Sequence, residues 1–471
     1  MHIRAVDYLH PLPVMYSWET AGPTPVHGLL LLGLAVLLCI AFTYKHRYQV
    51  KTRSRRSGHG LYKDVLPPSR REATGVNAVP PLEILLNLVP LEDRVTSLPG
   101  TCYTPTGFSS NDINRLGRFP DYATLSGVRP PEPLPHFDIK TAFARPYRPV
   151  RWPYHQTMSI SKMDPDYWLE LEQNYRIRIQ QRQELYIRHG KSVLDYLPGS
   201  ELACRELMEM ALQFLCNRYP NAFQLLNHRT TLRNTILDTE TNLTLLHPLH
   251  VLLNNIPEDF ALTLRNPETG SYHLRAGIIC SSLGWTLGSK LGQDIDAIHA
   301  PVPEYTSKMA FSMNRFFARL PTDKPIQRGS WGIEIDQPIH MAPGDPAAQR
   351  HDVQDPDVSL DRYHLRVDWQ TLRRLPVSAA IVFNFKVLFT PVTQLRGEPY
   401  MPSLFLKNYR EAKRAFLEHK NAWHTEATVV PALERWEEEQ KEDEVIPGDW
   451  EVATLAEYPY CPGREATTSV G

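Results

Sequence analysis

Phe260-Ala-Leu-Thr-Leu264 and Tyr272-His-Leu-Arg-Ala-Gly-Ile-Ile279 stand on either side of Asn266-Pro-Glu-Thr-Gly270. β-Branched and aromatic residues suit a pleated, half-buried surface, while Asn-Pro and Gly suit a turn, so the stretch predicts an antiparallel hairpin. Three later runs have the same character: Ser330-Trp-Gly-Ile-Glu-Ile335, Tyr363-His-Leu-Arg-Val-Asp-Trp-Gln370, and Ala379 to Phe389. Together they predict an antiparallel sheet of about five strands.

Helical patterns flank these strands. Asp164 caps a pattern reaching about His189, with Pro165 at its first position and apolar residues at Trp168, Leu171 and Tyr175. A second helix is expected from about Ser200 to Arg218, with others at Trp285–Leu291, Tyr305–Leu320 and Leu404–Trp423. The fold class is therefore α+β, a sheet with flanking helices. In the connection between two of these helices, Pro301 and Pro303 predict that Ile298-His-Ala-Pro-Val-Pro303 is a stiff, extended turn presenting His299.

Gly28 to Tyr44 is an uncharged run of seventeen residues, roughly 25 Å long as a helix at about 1.5 Å per residue. It is read as one transmembrane helix. Lys45, Arg47, Lys51, Arg53, Arg55 and Arg56 follow it, against Arg4 alone before it, which places the N-terminus in the lumen and the main domain in the cytosol. Its short length favours the endoplasmic reticulum. The chain thus divides into an N-terminal arm (1–27), a membrane helix (28–44), a basic then proline-rich linker (45–136) holding one short helix at Pro81–Val89, a main domain (137–425) and an acidic tail (426–471). The tail is read as a solvated helix end or disordered peptide.

Several chemistries are excluded. Net charge is −1, from 51 basic and 52 acidic residues, so nothing points to nucleic acid. The six cysteines lack C-x-x-C spacing, which speaks against a zinc ribbon or a dithiol. Neither Gly-rich phosphate loop occurs. His247-Pro-Leu-His250 has no acidic partner at metal-ligand spacing. Asp-x-Asp triplets at Asp164, Asp294 and Asp355, with the Asn242-Leu-Thr244 sequon, leave a lumenal glycosyltransferase as one alternative.

Gly284-Trp-Thr-Leu-Gly-Ser-Lys-Leu-Gly292, Ile298-His-Ala-Pro-Val-Pro-Glu-Tyr305, Met313-Asn-Arg-Phe-Phe-Ala-Arg-Leu320, Arg328-Gly-Ser-Trp-Gly-Ile333 and Leu365-Arg-Val-Asp-Trp-Gln-Thr-Leu-Arg-Arg-Leu-Pro376 share an order and spacing. Tyr147-Arg-Pro149 and Thr157-Met-Ser-Ile-Ser-Lys-Met-Asp164 precede them. The ensemble, over about Phe137 to Trp423, resembles the haem-dependent oxidative N-demethylases, here a membrane-anchored member of fungal type. The resemblance implies a PAS-like sheet enclosing haem b. It also implies a haem-dependent monooxygenase that oxidatively demethylates a small amine with O2, taking electrons from a separate reductase and NADPH only through that partner. The run Val367-Asp-Trp-Gln370 stands where bacterial members tend to have Glu-Arg-Gln, which implies a different substrate.

Such chemistry needs a neutral imidazole on iron, cations for two propionates and an apolar pocket. His299 is the expected metal ligand, with His228 as its alternative. Lys290, Arg328, Arg373 and Arg374 are the expected propionate partners, and Trp331, with Trp369 and Phe383, the expected wall. A non-catalytic haem or ligand sensor is the other alternative, since a fold does not settle a function.

Overall fold

The computed structural model describes residues 104–154 and 157–460. Its strands, in chain order, are β1 (Ser161–Lys162), β2 (Leu194–Tyr196), β3 (Phe223–Leu226), β4 (Thr231–Asn234), β5 (Thr239–Asn242), β6 (Asp259–Arg265), β7 (Tyr272–Ile278), β8 (Ile326–Ile335), β9 (Tyr363–Arg374) and β10 (Ile381–Pro391). The predicted hairpin is β6–β7. Asn266 closes its turn by accepting the Glu268 and Gly270 amides, and Gly270 takes φ +78°, which a side chain would disfavour.

The expectation of about five strands behind a membrane helix is corrected twice. Seven strands form one antiparallel sheet in the order β1-β8-β9-β10-β6-β7-β2, and β3-β4-β5 form a second, separate one. The missed strands are two to four residues long, and runs such as Thr239-Glu-Thr-Asn242 carry no apolar alternation to reveal them. Among the described residues no helix is long and apolar enough to cross a membrane, so a single-pass, endoplasmic-reticulum placement finds no support in them. Gly28–Tyr44 and the short helix at Pro81–Val89 lie outside the described residues.

Strand alternation gives the large sheet two unlike faces. On the rear face, Phe260, Leu262, Ile278 and Val382 pack against helices Glu201–Arg218 and Pro248–Asn255. Val367 and Trp369 pack on the same side, in a cluster with helices Met401–Glu411 and Glu426–Glu442 through Leu404, Phe405, Leu433 and Trp436. Each such fully buried side chain contributes about 1.5–3 kcal/mol. The tail expected to be solvated therefore begins as a 17-residue helix, and the apolar spacing Val429, Leu433, Trp436 is what docks it.

The front face is different. Arg328, Ser330 and Glu334 on β8 and Arg366, Asp368 and Gln370 on β9 make a polar stripe, bordered by Phe383 and Phe385 on β10. Residues 287–319 cross in front of it as four short helices, Leu287–Lys290, Ile295–His299, Tyr305–Lys308 and Ala310–Arg319. Tyr305, Met309, Met313 and Phe317 from this insertion pack on Leu372 and Ile381. Beyond Gln327, β8 has no partner strand on its outer side among the described residues, and residues 419–421 lie against it. A Cβ at Gly332 would sit 2.5 Å from the Lys420 carbonyl oxygen, so only glycine admits that strap.

Candidate functional site

Between the helical insertion and the front face lies a cavity of about 290 Å³, and beside it a wider cleft of about 680 Å³. Lys290, Ser330, Gln370, Phe385 and Lys420 border both. The inner cavity is apolar along Ile298, Val302, Met309, Leu372 and Phe383. Its polar lining includes four cations, Arg151, Lys290, Arg328 and Lys420, and two imidazoles, His299 and His419. No carboxylate is among its described lining residues.

His299 does not sit in an extended turn. Asp294 caps a one-turn helix by accepting the Ala297 amide, the turn closes before Pro301 can interrupt it, and His299 is its last residue. The Nδ1 atom lies 2.8 Å from the Ile295 carbonyl. A carbonyl only accepts, so Nδ1 carries the proton and Nε2 keeps its lone pair. The ring stacks on Tyr305 at 5.3 Å. Burial holds the imidazole below its ordinary pKa, reinforced by the Lys290 and Arg328 charges and opposed by the Ile295 bond. It is a neutral base facing the cavity, the state in which imidazole ligates a metal.

Among the described residues no carboxylate lies within ion-pair distance of these cations, although the Asp368 charge acts on Lys420. Lys290 Nζ reaches the Ile298 carbonyl at 3.3 Å and lies 4.4 Å from the Trp285 ring centre. Lys420 Nζ reaches the Trp331 carbonyl at 3.4 Å and lies over the Trp331 and Tyr154 rings. Arg328 Nε is buried without a hydrogen-bond partner. Burial lowers the pKa of all three, and Lys420, with Arg328 and Arg151 near it, is brought down to about 7. Buried cations of this kind demand an anion.

A test follows from Lys420. In the unfolded chain its ammonium stays protonated to about pH 10.4. Between about pH 7 and that value the unfolded state binds more protons, so ligand-free protein gains stability as pH rises. Urea unfolding at pH 7 and 9 should show that gain diminished in Lys420→Met.

The other expected site residues separate. Trp331 is a core residue, edge-to-face with Phe405 at 5.1 Å, and borders only the outer cleft. Arg373 points to the rear face, its guanidinium 4.2 Å from the Trp168 ring centre. Arg374 shares the front face but is fully engaged, donating to the carbonyls of Leu320, Ala379 and Phe317 and to the Tyr272 hydroxyl. Trp369 stacks on Tyr147 at 3.8 Å behind the sheet, so the departure at Trp369 does not alter the cavity. His228 lies exposed in the β3–β4 turn. His299, Lys290, Arg328 and Phe383 do meet at the cavity.

Lys420, His419 and Arg151 were missed. The pattern from Leu404 to Trp423 reads as one helix, whereas the helix breaks at Ala412 and a second ends at His419, which frees Lys420 from the helical register. Arg151 falls in a proline-rich stretch with no periodicity to place it. No local signal distinguishes either residue.

The sheet-backed cavity combines apolar walls, cations without a carboxylate among the lining residues, and an imidazole oriented through its Nδ1. The orphaned Arg328 Nε and the neighbouring Arg151 fit haem propionates; the His299 Nε2 lone pair fits its iron. Residues 159–430 match the family described as haem-dependent oxidative N-demethylase, alpha subunit-like. The match covers more than half of the chain, which belongs to this family.

Proposed function

We propose that the protein is a haem b-dependent oxidase that removes a methyl group from an amine. Family membership supports the haem, and the neutral His299 imidazole facing a carboxylate-free, cation-lined cavity is the observation that carries the reading. His299 would hold the iron through Nε2, while Arg328 and Arg151, which line only the inner cavity, would hold the propionates. Haem held by these residues would supply an iron centre for O2 activation and one-electron transfer. Ile298, Val302, Leu372 and Phe383 exclude water from that space, which protects an oxidising site from side reactions.

Overall, one methyl C–H is oxidised and the C–N bond breaks. O2 gives one oxygen atom to formaldehyde and one to water, with two electrons and two protons taken up. The electrons come from a separate reductase, with NADPH upstream of it.

The deciding experiment is a spectrum and an assay. Haem-reconstituted protein should show a Soret band and, with reductase, NADPH and a methylated amine, release formaldehyde in step with O2 consumed. No Soret band rejects the proposal; a Soret band without formaldehyde across a panel of methylated amines leaves a haem sensor.

A further inference from the structure

The charges around the two spaces do not balance once two propionates are supplied. Of the four cations on the inner cavity, Arg151 and Arg328 border it alone, whereas Lys290 and Lys420 stand at its junction with the outer cleft. Neither lysine has a carboxylate of the described residues within ion-pair distance; each is held by one long bond to a carbonyl and by an aromatic face. The outer cleft does hold carboxylates. Asp259 is committed to buried Arg182, and Glu334 to His351 Nε2 at 2.8 Å and Asn421 Nδ2 at 2.6 Å. Asp368 is the exception. It pairs with Arg366 at 3.0 Å from its own strand, yet its side chain remains 33 % exposed. Two ammonium groups without an ion-pair partner among the described residues thus share the cleft lining with one partly exposed carboxylate, whose charge already acts on Lys420 and whose oxygens accept from Arg366.

From this juxtaposition we infer that the substrate carries an acidic group as well as its methylated amine: an N-methylated amino acid, whose carboxylate sits between Lys290 and Lys420 while its ammonium turns to Asp368. The inference rests on the haem reading and names the substrate class for that same site. A simple alkylammonium entering the cleft meets three like charges, Lys290, Lys420 and Arg366, and one accessible carboxylate already paired with Arg366. A zwitterion answers both signs, since removing the charge deficit at the lysines offsets the cost of their burial.

The test is calorimetric titration of the full-length, haem-loaded protein with N,N-dimethylglycine, dimethylamine and acetate. N,N-dimethylglycine should bind at least tenfold more tightly than dimethylamine. Lys290→Met and Lys420→Met should each cut that preference severalfold, and the lysine-to-arginine variants should retain most of it. The Soret band of each variant reports that the pocket is intact. Dimethylamine binding as tightly as N,N-dimethylglycine overturns the inference while leaving the haem reading standing, and so does a preference unchanged in both Met variants. A protein that takes up no haem overturns both, and acetate alone matching N,N-dimethylglycine removes the role of Asp368.

Discussion

Haem-reconstituted His299→Ala is expected to lose its Soret band, or to hold haem at least about tenfold more weakly than wild type. Of the two imidazoles on the cavity, only His299 has its tautomer fixed, by the Ile295 carbonyl at 2.8 Å, so its Nε2 is aimed before any metal arrives. His419 is neutral, with a pKa lowered to about 4 by burial and by the Lys420 and Lys290 charges, but no hydrogen bond from the described residues orients it. Affinity follows orientation, because a ligand whose other nitrogen is already bonded gives up less freedom on binding. His419→Ala and His228→Ala should therefore keep the band, and millimolar imidazole should restore it to His299→Ala. Retention of a normal Soret band in His299→Ala would remove that residue from the iron.

The second large effect concerns stability. Asp259→Ala is expected to cost about 3–5 kcal/mol in denaturant unfolding, because it strands a buried guanidinium. Asp259 receives Arg182, the Ser281 hydroxyl, and the amides of Cys280 and Ser281 at 2.9 and 2.8 Å. Arg182 is 1 % exposed and reaches Asp259 through Nη1, while its Nε and Nη2 have no hydrogen-bond partner among the described residues. Asp259 also begins β6 opposite Phe385 and borders the outer cleft, so its loss should loosen the cleft wall. The double variant Arg182→Met with Asp259→Asn removes both charges yet leaves an acceptor for the two amides. It should recover more than half of the loss, and failure to recover would show that the amide bonds, and not the ion pair, set the cost.

The long strands were legible because each is an apolar run bounded by turn residues, and the hairpin because Asn-Pro and Gly fix its turn. Strands of two to four residues left no such trace. Within the site, Lys290, His299 and Arg328 fall close together in sequence on the helical insertion and β8, where a motif can carry them. Arg373 and Arg374 illustrate the limit. Adjacent strand residues face opposite ways, so at most one can reach a given pocket, and which one depends on a register that only the paired sheet sets. Arg374 has the right side but spends its donors on the insertion's carbonyls. Lys420 was beyond reach for another reason: it is brought to the cavity by tertiary docking over Gly332, a contact between residues 88 apart in the chain.

That strap also orders events at the ribosome. The cavity wall runs from Pro149 to Lys420, so a nascent chain with all its long strands emerged still lacks one side of the pocket. Haem captured before residue 420 clears the exit tunnel would lie open to solvent and to exchange. The pocket therefore closes only once the segment at 419–421 has docked on β8.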